Sequence, residues 1–227
     1  MIQLRDVNST GEQNLKSLET KLTVDQIVKR LQNYRGEFAE MAHREFSPVD
    51  LKSREVKSKV TPRLAGVLLL IYLKKGKPHF LLTQRQDYDG THANQISLPG
   101  GKKEDEDQDM LETALRETFE EVGSVHSRQS VFSLGQVYIP PSNFLVSPFV
   151  KVEFDEVAFK RDQYEVRSLI EIPLSDLLEA SPTSKDLAEL SSVSNYKTQV
   201  QVFDFNSKIV WGATALMINE LRLVLLQ

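Results

Sequence analysis

The chain has 227 residues, 40% of them hydrophobic and 26% charged, with a net charge of −4 and no cysteine. Such a composition fits a globular protein with one full core, and the weak acidity without a basic tract excludes nucleic acid as the main partner. The missing cysteines exclude thiol nucleophiles, disulfides and Cys-ligated zinc, and they fit a cytoplasmic setting. Residues 1–22 are polar and aperiodic, with no signal-peptide stretch. No apolar run in the chain approaches the roughly 20 residues of a membrane helix. Thr23, with Gln26 three residues on, reads as a capping box. Val24, Ile27, Val28 and Leu31 follow at helical spacing and predict a helix over 23–34. Residues 47–61 are charged and irregular. They divide an N-terminal extension with one helix (1–59) from a main domain (60–227).

Leu64–Tyr72 is a branched apolar run and predicts a buried strand. Residues 74–77 form a hairpin turn, and His79–Arg85 returns as the paired strand. A polar loop over 86–95 leads to a short strand at 96–98 and the Pro99-Gly100-Gly101 turn. Residues 109–122 carry the strongest helical pattern, stopped by Gly123. Strands are expected over 131–139 and 145–154, around a Pro-Pro-Ser-Asn turn, and over 166–172. Pro173 starts a short helix, and 181–198 reads as a loop. Strands at 198–205 and 209–211 and a helix over 213–226 complete an α+β fold.

The chemistry concentrates in residues 100–123. On a helical wheel Leu111, Leu115, Phe119 and Val122 fall within roughly 80°, which predicts a core-facing stripe. Arg116, Glu117, Glu120 and Glu121 span roughly 140° on the other side. Three carboxylates on one face repel one another, by a few tenths of a kcal/mol per pair. A divalent cation would turn that repulsion into binding, and Mg2+ or Mn2+ suits carboxylate oxygens. Arg116 can hold Glu120 at i+4. Arg85, at a strand end, can clamp a diphosphate bidentately or pair with Asp87. His43, His79 and His126 show no ligand spacing.

Gly101 and the run Arg116-Glu117-Thr118-Phe119-Glu120-Glu121-Val122-Gly123 resemble the Nudix signature G-x5-E-x7-R-E-U-x-E-E-x-G-U. The spacing from Gly101 to Arg116 is one residue longer than the signature, so its first Glu corresponds to either Asp107 or Gln108. Thr118 and Ser124 stand where the signature has aliphatic residues. The segment LLTQRQDYDGTHANQISLPGG (81–101) is similar to the added motif of the coenzyme A pyrophosphatase branch. Arg85, His92, Gln95, Gly100 and Gly101 match it; Gly90 and Asn94 do not.

The resemblance implies the Nudix fold, an α/β/α sandwich around a mixed β-sheet. It also implies metal-dependent hydrolysis of a diphosphate in coenzyme A or its thioesters, giving 3′,5′-ADP and 4′-phosphopantetheine. The expected catalytic residues are Arg116, Glu117, Glu120, Glu121 and Glu165, with Asp162 competing for the last role. Glu117, Glu120 and Glu121 are the expected ligands for Mg2+ or Mn2+. Arg85, His92, Gln95, Gly100 and Gly101 are the expected substrate contacts. The partner is then a small nucleotide, with no nucleic acid, no membrane, and homodimerisation left open. Two other readings stand beside it: a pyrophosphatase for ADP-ribose or another nucleoside diphosphate derivative, and a non-catalytic nucleotide-binding Nudix module.

Overall fold

Two long parallel strands form the spine of the sheet in the computed structural model, which describes residues 22–46, 61–86, 95–190 and 198–227. β1 (Arg63–Lys74) returns through Lys75-Gly76 into β2 (Lys77–Arg85). β3 (Ile96–Ser97) adds to β2, and β4 (Gly100–Lys102) adds to β1. β5 (Val131–Ser133) and β6 (Val137–Ile139) pair with β7 (Phe144–Glu156), which lies parallel to β1. β8 (Val166–Pro173) lies antiparallel on the outer side of β2. The eight strands make one mixed sheet.

Alternation along β1 sends Leu69 and Ile71 to one face and Leu68, Leu70 and Tyr72 to the other. The first face packs against α1 (Val24–Asn33), α2 (Ala39–Phe46) and α6 (Gly212–Leu225). α3 (Met110–Val122) covers the second face, so the architecture is the expected α/β/α sandwich. The short helices α4 (Leu174–Glu179) and α5 (Leu187–Leu190) flank a small sheet of β9 (Thr183–Asp186), β10 (Gln199–Phe205) and β11 (Lys208–Val210).

One buried carboxylate ties the N-terminal helices to this frame. Glu220 on α6 is fully buried. Tyr34 Oη donates to its Oε1 over 2.6 Å, and the Gly135 N–H donates to the same oxygen over 2.7 Å. His43 Nε2 donates to Oε2 over 2.9 Å. The Arg30 guanidinium also donates to the Leu225 carbonyl at the end of α6. Ile27, Leu31 and Phe46 join the same apolar cluster as the sheet.

The elements depart from expectation in three places. The N-terminal region holds two helices, not one, because Ala42, His43 and Phe46 bury a second short face against α6. The expected strand over 131–139 is split. Ser133 pairs with Phe149 and Val137 with Val146, so three residues oppose two in a bulge. The bulge frees the Gly135 N–H for Glu220. The loop expected over 181–198 contains β9, whose polar residues pair with β10 without an apolar pattern to betray them, and α5. Residues 1–21 and 47–60 of the expected lead-in and linker lie outside the described residues.

Candidate active site

α3 forms where its sequence says it should. Asp109 caps it by accepting from the Glu112 N–H over 2.9 Å, and Gly123 ends it in the left-handed region at φ 67°. Its orientation differs from the helical-wheel expectation. Phe119 is 52% exposed, while Ala114, Thr118, Glu121 and Val122 are buried against the sheet. Val122 and Leu115 pack on the core as expected, whereas Phe119 is exposed and Thr118 and Glu121 take inward places. Thr118 fits there because its hydroxyl donates to the Ala114 carbonyl over 2.6 Å.

This rotation turns Glu117 and Glu121 inward, toward Gly100 and Gly101, and leaves Glu120 at the rim, half exposed. A Cβ at Gly101 would meet the Glu117 carboxylate and push it aside, so glycine there leaves the carboxylate its place against β4. Glu121 is 4% exposed, and its Oε2 has no hydrogen-bond partner among the described residues. Burial pushes its carboxyl up to about 8, against the opposing pull of the Arg85 charge and the Gly100 N–H. Burial likewise raises Glu117, against the pull of Arg116, and the charges of Glu120 and Glu165 add to the rise.

Arg116 organises the cluster. Its Nε and Nη2 each donate to the Asp107 carboxylate over 2.9 Å. Its Nη1 reaches Glu117 Oε1 at 3.1 Å and Glu120 Oε2 at 3.0 Å. Asp107, buried, also accepts from the Glu104 N–H and the Thr113 hydroxyl. The paired Arg116 bonds hold its carboxyl well below the usual carboxylate range. The first acid of the signature is therefore Asp107. The side chain of Gln108 takes no part in this clamp, and its backbone N–H donates to Glu112. Sequence spacing alone could not choose between the two, whereas burial does.

Arg85 lies on the α3 face of β2. Its Nε is buried without a hydrogen-bond partner among the described residues, and its charge acts on Glu121. Its N–H donates to the Gln95 carbonyl over 3.1 Å, which anchors the strand that leads to Gly100. Glu165 stands exposed at the entry to β8, near enough for its charge to raise both inward carboxyls. Asp162, its expected competitor, uses Oδ1 to accept from the Tyr164 and Glu165 N–H groups. His92 and Asp87 lie outside the described residues.

Among the described residues no three acidic or histidine side chains already converge on one point. Glu117 and Glu120 are turned to Arg116 instead. The donor set still suits a hard divalent cation: three carboxylates within five residues, one of them with a buried free oxygen. Convergence takes rotation of Glu117 and Glu120 away from Arg116, which keeps Asp107 as its anchor.

A family model described as NUDIX domain matches residues 62–190. The chain is 36% identical over 159 residues to an uncharacterized Nudix hydrolase NudL of Yersinia enterocolitica, covering 69% of this chain and 78% of the relative. It is 34% identical to the corresponding protein of Photorhabdus laumondii, over 70% of this chain and 83% of that one. A MutT/nudix family protein from Enterococcus faecalis superposes with a TM-score of 0.49 at 14% identity, over 88% of this chain and 73% of that one. Among the described residues no helix is long and apolar enough to cross a membrane.

Proposed function

The chain belongs to the Nudix hydrolase family, and from that premise we propose that it cleaves the diphosphate of coenzyme A or its thioesters. The products are 3′,5′-ADP and 4′-phosphopantetheine or its acyl form. The observation that carries this reading is that Arg85 Nε and Glu121 Oε2, two of the buried polar atoms without a hydrogen-bond partner among the described residues, belong to groups close enough for the Arg85 charge to act on Glu121. A buried donor and a buried acceptor left unmade each cost about 1–3 kcal/mol, and a diphosphate with a cation would supply both missing partners. Coenzyme A is favoured as substrate because Arg85 belongs to the segment 81–101 that resembles the coenzyme A pyrophosphatase motif.

Glu117, Glu120 and Glu121 would hold Mg2+ or Mn2+, which when bound neutralises phosphate charge and acidifies water. The remaining steps belong to the protein. Arg85 orients the diphosphate through its guanidinium fork. Gly100 and Gly101 let the substrate approach the backbone. Glu165 accepts the proton of the water that attacks phosphorus, and the bond from that phosphorus to the bridging oxygen breaks. Arg116, anchored by Asp107, offsets the charge of Glu117 and Glu120 until they turn to the cation.

A second reading, with ADP-ribose as substrate, is favoured by Gly90 and Asn94, which depart from the coenzyme A motif. Incubation with coenzyme A, ADP-ribose, NADH or dinucleoside polyphosphates, read by product mass, separates the two. Coenzyme A is expected to give the highest kcat/KM, with 3′,5′-ADP as product. Equal or better turnover of ADP-ribose moves the protein to the second reading. Excess EDTA should abolish turnover without unfolding the chain, and undiminished turnover in chelator would sink the metal assignment.

A further inference from the structure

We propose that Asp162 is a positioning residue that locks Glu165 to the end of the helix bearing Glu121. The proposal rests on the reading of Glu165 as the proton acceptor. Glu165 is exposed and lies in the stretch between β7 and β8, where a long acidic side chain would otherwise wander. That stretch is instead fastened at both ends. The Asp162 N–H donates to the carbonyl of Glu121 itself over 2.8 Å, and the Lys160 N–H donates to the Val122 carbonyl over 2.8 Å. These bonds occupy carbonyls in the last turn of α3 that the helix cannot satisfy internally.

From the same residue, Oδ1 accepts from the Tyr164 N–H over 2.7 Å and the Glu165 N–H over 3.0 Å. The Asp162 carbonyl accepts from the Val166 N–H at the start of β8 over 3.1 Å. On the other side the Gln86 N–H donates to the Glu165 carbonyl over 3.0 Å, one residue beyond Arg85. Asp162 thus connects Glu121 through its main chain with Glu165 through its side chain. A base must sit within hydrogen-bond reach of its proton, and a misplacement of about 1 Å can cost on the order of 10²-fold. Asp162 supplies that placement without touching substrate.

The test measures kcat and KM for Asp162→Ala, Asp162→Asn, Glu165→Gln and the Asp162→Ala/Glu165→Gln pair. The substrate is whichever of coenzyme A and ADP-ribose the wild type turns over better, at saturating Mg2+. Asn keeps an Oδ1 that accepts both N–H groups; Ala does not. Glu165→Gln is expected to lower kcat about 10²-fold. Asp162→Ala should lower kcat about 10-fold with KM within about 2-fold, and Asp162→Asn should stay within about 3-fold of wild type. Added to Glu165→Gln, Asp162→Ala should cost under about 3-fold more, because both act through one group. If Asp162→Ala fails to fold, Asp162→Ser takes its place with about 3–10-fold loss expected.

Asn as slow as Ala would make Asp162 itself the proton acceptor and overturn the proposal. A full Asp162→Ala penalty on top of Glu165→Gln would overturn it too, since the effect would not run through Glu165. Wild-type kcat in Glu165→Gln would instead remove the base reading on which the proposal rests, whatever Asp162→Ala does.

Discussion

Glu121 and Glu220 sit on α3 and α6 against opposite faces of one sheet, 4% and 0% exposed. Glu220 receives a donor from each of three segments: Tyr34, His43 and Gly135. Glu121 keeps one oxygen without a partner among the described residues, and burial pushes its carboxyl up to about 8. A buried carboxylate normally finds its hydrogen bonds, so the exception calls for a reason. Burial with unequal satisfaction separates the two: Glu220 is held by donors from three segments, whereas Glu121, with the Arg85 charge and the Gly100 N–H acting on it, keeps one oxygen without a donor among the described residues.

The sharpest break of this comparison exchanges the two residues' fates. Glu220→Ala strands the Tyr34 hydroxyl, the Gly135 N–H and His43 in the core. It should cost about 3–5 kcal/mol of stability, read from denaturant midpoints. The folded fraction should keep kcat within about 2-fold. A large kcat loss in fully folded Glu220→Ala would mean that the α6 face belongs to the site. The next effect is the mirror image. Glu121→Gln should lower kcat by on the order of 10²-fold, about 2.7 kcal/mol of activation energy, because an amide is a poor cation ligand. Its melting temperature should hold or rise, since a buried carboxyl without a full partner set is relieved. Glu120→Gln should follow it in kcat. If both variants keep near-full activity, the α3 carboxylates are only surface charge.

The two carboxylates also differ in how far the sequence reveals them. Glu121 lies in a local run, and Glu117, Glu120 and Glu121 are legible from spacing together with the Gly123 stop. The facing of α3 was not. Periodicity places Phe119 inward because it weighs apolar bulk, whereas in the structure Phe119 is exposed, Glu121 is buried and Glu117 abuts Gly101. A local rule fails where function imposes a conflicting demand. Glu220 left no local signature, because Tyr34 and His43 lie far away in the chain. Its one signal is a carboxylate in a mainly apolar helix that also holds Asn219 and Arg222. The split of residues 131–139 coincides with that long-range bond to Gly135 and leaves no local pattern in the sequence.

Arg85 tests whether the unpartnered atoms on the α3 face belong together. Arg85→Ala removes the guanidinium that faces Glu121 and should lower kcat/KM about 10-fold for coenzyme A and ADP-ribose alike, about 1.4 kcal/mol. Arg85→Lys should recover only part, because an ammonium cannot bind two phosphate oxygens in one fork. Unchanged kinetics in Arg85→Ala would leave Glu121 as a lone strained acid and not half of a ligand site.

The smallest expected effect concerns Asp107, a buried carboxylate in the loop before α3 whose two oxygens both accept hydrogen bonds, as those of Glu220 do. Asp107→Asn keeps one acceptor for Arg116 but loses the charge and the second acceptor. Stability at pH 7 should fall by about 1 kcal/mol, and kcat should stay within about 3-fold, because Glu117 and Glu120 turn away from Arg116 to meet a cation. The pH dependence fixes the cause. The folded Asp107 carboxyl lies well below its unfolded value because Arg116 pairs with it. Its contribution is therefore fully present above the unfolded value of about 3.9 and is lost as pH falls through the folded one. Asn cannot ionise, so the stability gap between wild type and variant should narrow as pH drops below about 4. A gap that stays constant from pH 7 to pH 2 would assign the loss to packing rather than to the charge. Asp107 would then differ from Glu121 in shape alone and not in being a buried charge already satisfied by the fold.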